Sequence, residues 1–134
     1  VGYYYSRPER TAEKVLTAVY TVDNAEIQRR REAIDNRTFD TYMRERCDGA
    51  VTDNCIDGMI TASALYYGAT PAKVESIKFS PIDKATSDTA SFQYTAVFSD
   101  DSDAKERIGH VVMKKENGKW RVDSFVTKSV TKAD

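Results

Sequence analysis

Two rhythms divide the chain. In its first half apolar side chains recur every three or four positions, the spacing of helices packed by one face. From about residue 73 they alternate with polar ones, the spacing of strands with one buried face. The helical half predicts four helices. The first spans 7–20, with Ala12, Val15, Leu16, Val19 and Tyr20 in one stripe. Ser6 and Glu9 have capping-box spacing, and Pro8 falls in the first turn, where a missing N–H costs little. The second spans 24–36, and Asp23 and Glu26 repeat the capping spacing. Its stripe is thin (Ala25, Ile27, Ala33, Ile34), and Arg29, Arg30, Arg31 and Glu32 read as its solvated face. The third spans 39–47 after Thr38, with Phe39, Tyr42, Met43 and Cys47 on one side. A loop from Asp48 to Asn54 leads to the fourth, 55–67, capped by Asn54 and stopped by Gly68 and Pro71. Its stripe is Ile56, Met59, Ile60, Ala64 and Tyr67. Gly58 weakens this helix, and a strand over 59–67 is the alternative.

The alternating half predicts strands over 73–82 and 89–99, then a hairpin within 105–130. In the second strand Phe92, Tyr94, Ala96 and Phe98 alternate with polar neighbours. Asn117-Gly118 is a strong signal for a two-residue turn with positive φ at both positions. Such a turn pairs Glu116 with Lys119, Lys115 with Trp120, Lys114 with Arg121 and Met113 with Val122. Continued without a break, the register pairs Val112 with Asp123, Val111 with Ser124 and His110 with Phe125. Phe92, Tyr94, Phe98, Met113, Trp120, Val122 and Val126 then form the face toward the helices, and Lys115 can lay its stem over Trp120. Helices first and strands after read as α+β, with N-terminal helices on a curved, antiparallel four-stranded meander, since each linker is too short for a parallel crossover.

With 134 residues the chain is one domain, 1–134, large enough for its own core. Lys and Arg number 20 against 21 Asp and Glu, so no basic excess points to nucleic acid. The opening Val1-Gly2-Tyr3-Tyr4-Tyr5-Ser6 is aromatic in the way of membrane–water boundaries. Residues 1–6 therefore read either as the remnant of a membrane-proximal linker or as a packed or flexible end. Cys47 and Cys55 do not have zinc-site spacing. In an oxidising compartment they would close one disulfide; in a reducing one they stay thiols. The disulfide is favoured, because it would staple the corner between the third and fourth helices by roughly 2–3 kcal/mol.

The helices-then-meander order and the ending Glu116-Asn117-Gly118-Lys119-Trp120-Arg121-Val122-Asp123-Ser124-Phe125 resemble the nuclear transport factor 2-like superfamily. This is the cone-shaped α+β roll shared with ketosteroid isomerase and scytalone dehydratase. Within it the chain is most similar to extracytoplasmic domains of type IV secretion and conjugative transfer assembly factors, and to small membrane-anchored domains without assigned roles. The resemblance implies a non-catalytic protein-interaction domain of a bacterial envelope assembly. It would be held to the membrane by a segment upstream of residue 1, with other envelope proteins or further copies of itself as partners. It implies no cofactor, and these groups carry no catalytic motif to transfer.

Candidate chemistry is sparse. His110, the only histidine, would lie diagonal to Asp123 in the unbroken register, the geometry of an oriented general base; a half-exposed strand residue is the plainer reading. Tyr20, Tyr42, Tyr66, Tyr67 and Tyr94, with Asp40 or Asp57, are the groups that could serve an isomerase- or dehydratase-like site. Asp40 lies among Arg37 and Arg44 as a solvated pair, however. Asp100, Asp101 and Asp103 lack the closing residues of a calcium loop and read as a polar turn. The second sheet face collects Ile108, His110, Val112 and Phe125, framed by Lys114, Arg121 and Asp123. That is an interface candidate unless the fourth helix or the C-terminal segment covers it.

Overall fold

The computed structural model describes the backbone of residues 2–132 and the side chains of residues 8–132. Four helices, α1 (Gly2–Tyr20), α2 (Asn24–Asp35), α3 (Phe39–Arg46) and α4 (Asp53–Thr61), lead into a 3-10 segment, Ser63–Gly68. Four strands follow: β1 (Val74–Pro81), β2 (Thr89–Phe98), β3 (Ala104–Glu116) and β4 (Lys119–Lys132). They pair in chain order as one antiparallel sheet, so the α+β meander is as expected. No helix among the described residues is long and apolar enough to cross a membrane. The side chains of Tyr3, Tyr4, Tyr5 and Ser6 lie outside the described residues, and with them the expected cap and aromatic boundary.

Local chemistry explains where the helices start. α1 begins earlier than expected, at Gly2, which leaves Pro8 inside the helix rather than in its first turn. Asp23 caps α2 by accepting the Glu26 N–H at 2.6 Å. α4 starts at Asp53, not at residue 55. Its cap is Thr52, whose Oγ1 accepts the Cys55 N–H at 3.1 Å, while the expected cap Asn54 donates to the Asp123 carbonyl at 3.0 Å. Past Thr61 the α-helix tightens into the 3-10 segment, so the ambiguous stretch 59–67 is helical but in two pieces.

The core lies between α1, α3 and α4 on one side and the inner face of the sheet on the other. Val15, Leu16, Met43 and Ile56 meet Phe92, Tyr94, Val111, Met113 and Val122 there, all buried. Asn117 and Gly118 take φ of 52° and 78°, as the two-residue turn requires, and the first four expected pairs form. The register then slips at a bulge between Met113↔Val122 and Val112↔Ser124. Val111 pairs with Phe125 and His110 with Val126, so three expected pairs are each wrong by one residue. The cause lies outside the hairpin. Residues 50–52 run beside β4, where Val122 donates its N–H to Ala50 O at 2.9 Å and accepts from Thr52 N at 3.0 Å. Thr52 Oγ1 also donates to the Asp123 carboxylate at 2.8 Å. Asp123 is thus held outward as the extra, unpaired residue of a bulge. Beyond it, β4 turns the other face inward: Phe125 packs edge-on against Tyr20, and Val126, expected in the core, is 50% exposed. Trp120 is only half-buried at the core margin, with the Lys115 ammonium 5.7 Å from its ring.

Candidate functional site

A cavity of about 910 Å³ opens between the C-terminal end of α1, α4 with its 3-10 extension, and the inner faces of β3 and β4. Val19, Tyr20, Met59, Tyr66, Phe98 and Phe125 give it a mostly apolar and aromatic wall. Its size and lining are those of small-molecule sites. At the rim lie Leu65, 76% exposed, and two exposed carboxylates, Asp57 and Asp103.

The polar groups of the wall follow from strand alternation. Arg107 shares a face with Val111 and Met113, so the sheet carries a guanidinium inward opposite Ala96. Its Cζ lies 4.9 Å from the centre of the Tyr20 ring, and Nη1 donates to Thr127 Oγ1 at 2.9 Å. Its Nε is buried and meets no acceptor among the described residues, and Arg107 forms no ion pair there. Behind it the Tyr20 and Tyr94 hydroxyls are 2.7 Å apart. Burial, then the neighbouring Tyr20, pushes the Tyr94 phenol far above its ordinary range, so it stays a neutral hydroxyl. Tyr94 crosses the sheet directly over Gly109. A Cβ there would stand 2.1 Å from the Val126 carbonyl oxygen and 2.5 Å from Tyr94 Cζ, so only glycine lets the ring lie flat across the strand.

The roof is held by charge. Glu26 and Arg30 of α2 are both buried, joined by Arg30 Nε donating to Glu26 Oε2 at 2.6 Å. The same carboxylate takes Arg46 Nε at 3.0 Å and the Tyr42 hydroxyl. Arg30 also donates to the carbonyls of Val19 and Ala18 and to the Tyr66 hydroxyl, each at 2.9 Å, and Arg46 donates to the carbonyls of Ala18 and Thr21. The Ala18 and Val19 carbonyls belong to the last turn of α1 and Thr21 follows it directly; acceptors there have no partner within the helix, and the helix dipole favours cations. The two arginines therefore cap α1 from the side and fix Tyr20 over the cavity. This corrects the expectation of a solvated arginine run. Arg30 is fully buried, Arg31 caps the carbonyls of Tyr66 and Tyr67, and only Arg29 is exposed. A smaller hollow of about 360 Å³ beside this network is lined by charges of both signs, including Asp23, Arg29, Lys73 and Asp101.

The residues singled out in the sequence are brought together only in part. Tyr20 and Tyr66 line the cavity, and Tyr94 stands behind Tyr20. Tyr42 lies on Glu26, and the exposed Tyr67 donates to Asp35. Asp40 is exposed on α3, away from the cavity lining. His110 is on the opposite sheet face between Gln93 and Val126, and the Asp123 carboxylate that was to orient it is bonded to Thr52 instead. The interface candidates separate for the same reason. Ile108, His110 and Val112 share the outer face, whereas Phe125 belongs to the cavity wall, and the exposed Val126 takes its place outside. Cys47, just past α3, and Cys55, in the first turn of α4, are both buried and stand here as free thiols. Burial pushes the Cys47 thiol up to about 11; burial, with Cys47 adding to it, pushes Cys55 up to about 12. Neither is a nucleophile at neutral pH. Among the described residues no three His, Cys, Asp or Glu side chains gather as a metal site.

Arg107 escaped the sequence reading, although its signal was present: a charged residue in phase with Val111 and Met113 on a strand whose inward face is otherwise apolar. No protein-family model matches the chain, and no curated protein matches it.

Proposed function

We propose that the domain is a non-catalytic binding module of the nuclear transport factor 2-like kind, whose cone receives a small, largely apolar ligand. The observation that carries this reading is the cavity of about 910 Å³ with its aromatic and aliphatic wall. Its two rim carboxylates, Asp57 and Asp103, are exposed. They lack the apolar setting that the general acids and bases of such cones need. The test is saturable binding of the neutral fluorophore N-phenyl-1-naphthylamine, with Ala104→Trp as the cavity-filling control. Binding by the native chain and its loss in that variant support the reading. Absence of saturable binding, or equal binding by the filled variant, refutes it.

A second reading is that of a partner-holding domain in a bacterial envelope assembly, a conjugative transfer or type IV secretion machine, anchored from upstream. What favours an interaction role is the outer sheet face. Ile108 and His110 are half-buried there beside Val112 and Val126, which are 39% and 50% exposed. Sedimentation of Val112→Glu tests it: an assembly present in the native chain and lost in the variant supports that role, and unchanged sedimentation counts against it.

A further inference from the structure

We propose that Arg107 is the anchor for a single carboxylate, so that the cone takes an amphipathic carboxylic acid, head inward on Arg107 and alkyl or ring body along the apolar wall. The proposal rests on the small-molecule reading above and names its ligand class. Three features carry it. First, among the described residues Arg107 is the only cation of the cavity lining that stands on the inner sheet face; Lys132, the other basic lining residue described, is exposed at the end of β4. A guanidinium facing an apolar chamber is costly to hold without an anion, and here no carboxylate of the described residues pairs with it. Second, the donors are divided. Nη1 is committed to Thr127, and the Cζ sits over Tyr20, which fixes the plane of the group. Of the other two nitrogens, Nε is buried out of reach of solvent, and Nη2 has no hydrogen-bond partner among the described residues and is the donor left open. From Nη2 a charge-assisted hydrogen bond can be given to one oxygen of a carboxylate in the chamber. Third, the charge of the lining limits the head group. Arg107 and Lys132 are offset by Asp57 and Asp103, so the chamber favours one negative charge over the two of a phosphate monoester.

The experiment compares octanoate, 1-octanol and octyl phosphate by calorimetry against the native chain, Arg107→Met, Arg107→Lys and Thr127→Val. All three ligands share one apolar body, so differences isolate the head. Octanoate should bind about tenfold or more tighter than octanol to the native chain, the scale of a charge-assisted hydrogen-bond pair. Arg107→Met should lose that preference and keep its affinity for octanol. Thr127→Val, which leaves the charge but frees the guanidinium plane, should weaken octanoate several-fold without changing octanol. Should Arg107→Met fail to fold, Arg107→Lys decides: a charge without the guanidinium plane that Thr127 and Tyr20 fix should retain only part of the preference. Equal affinity for octanoate and octanol in the native chain, or a preference that survives removal of the guanidinium, overturns the anchor while leaving the cavity reading intact. Tighter binding of octyl phosphate overturns the carboxylate assignment. Failure of all three ligands overturns both readings together.

Discussion

Replacing Arg30 by methionine should destabilise the domain more than almost any single change on its surface would. Methionine fills a similar volume, so the loss is electrical rather than a cavity. Arg30 is 0% exposed and donates to Glu26 Oε2, the Val19 and Ala18 carbonyls and the Tyr66 hydroxyl. Its removal leaves the end of α1 short of two donors and the buried Glu26 dependent on Arg46, Tyr42 and the exposed Arg29. Breaking a buried ion pair from one side costs about 3–5 kcal/mol. For a domain of this length, with an unfolding entropy of about 2.1 cal/mol/K per residue, that lowers Tm by about 11–18 °C. Calorimetry or circular dichroism at pH 7 measures it. The Tyr20 end of α1 should loosen as well, so binding of N-phenyl-1-naphthylamine should weaken in protein that is still folded. A cost below about 1 kcal/mol would mean that the pair is solvated and replaceable, and that α1 is held by its apolar stripe alone.

Four further outcomes follow from the packing. Gly109→Ala should lower stability by about 1–3 kcal/mol or more, because its Cβ meets a carbonyl oxygen that cannot move without breaking the sheet; an unchanged urea midpoint refutes the close approach of Tyr94. Phe125→Glu should destabilise strongly, by placing a charge against Tyr20, whereas Val126→Glu should stay within about 0.5 kcal/mol; the reverse order would restore the unbroken register. Trp120→Ala should cost less than the roughly 3–5 kcal/mol of a fully buried aromatic, since the ring is half-exposed; a loss in that range would put it in the core. The thiols set an alkaline limit. Cys47 and Cys55 ionise near 11 and 12 when folded but near the ordinary value of 9.0 when unfolded, so their contribution is complete below pH 9 and declines as pH rises toward 11–12. The native chain should lose stability faster than a Cys47→Ala, Cys55→Ala variant over that window, and parallel curves would count against buried free thiols.

What could be read in the sequence and what could not divide along the range of the forces involved. The hairpin turn, its first four pairs and the alternation of β2 are written in neighbouring residues: Asn117-Gly118 sets the turn, and the pleat sets the faces. The bulge at Asp123 is not, because its cause is Thr52 and the segment from Ala50, some seventy positions away in the chain. One displaced residue then decided the identity of the candidate site, exchanging Phe125 for Val126 between cavity wall and outer face. The arginine run misled for a different reason. Pattern reading assigns charged residues to water, yet the stripe of α2 that faces the protein is Glu26, Ile27, Arg30 and Ala33, a helical face with an ion pair set into it. The thinness of the apolar stripe was itself the clue, since a short helix with too little to bury must dock by something else. Arg107 repeats the lesson on a strand: its place in the inward phase of β3 put it inside, and nothing on its own strand neutralises it there. The fully buried Arg30 and the half-buried Arg107 differ in what they meet. Arg30 meets a carboxylate and two helix-end carbonyls, which makes it a structural cap, whereas Arg107 meets one hydroxyl and one aromatic face and lines a chamber large enough for a ligand. That difference in satisfaction, more than charge, is what separates an arginine that holds the fold from one placed to hold something else.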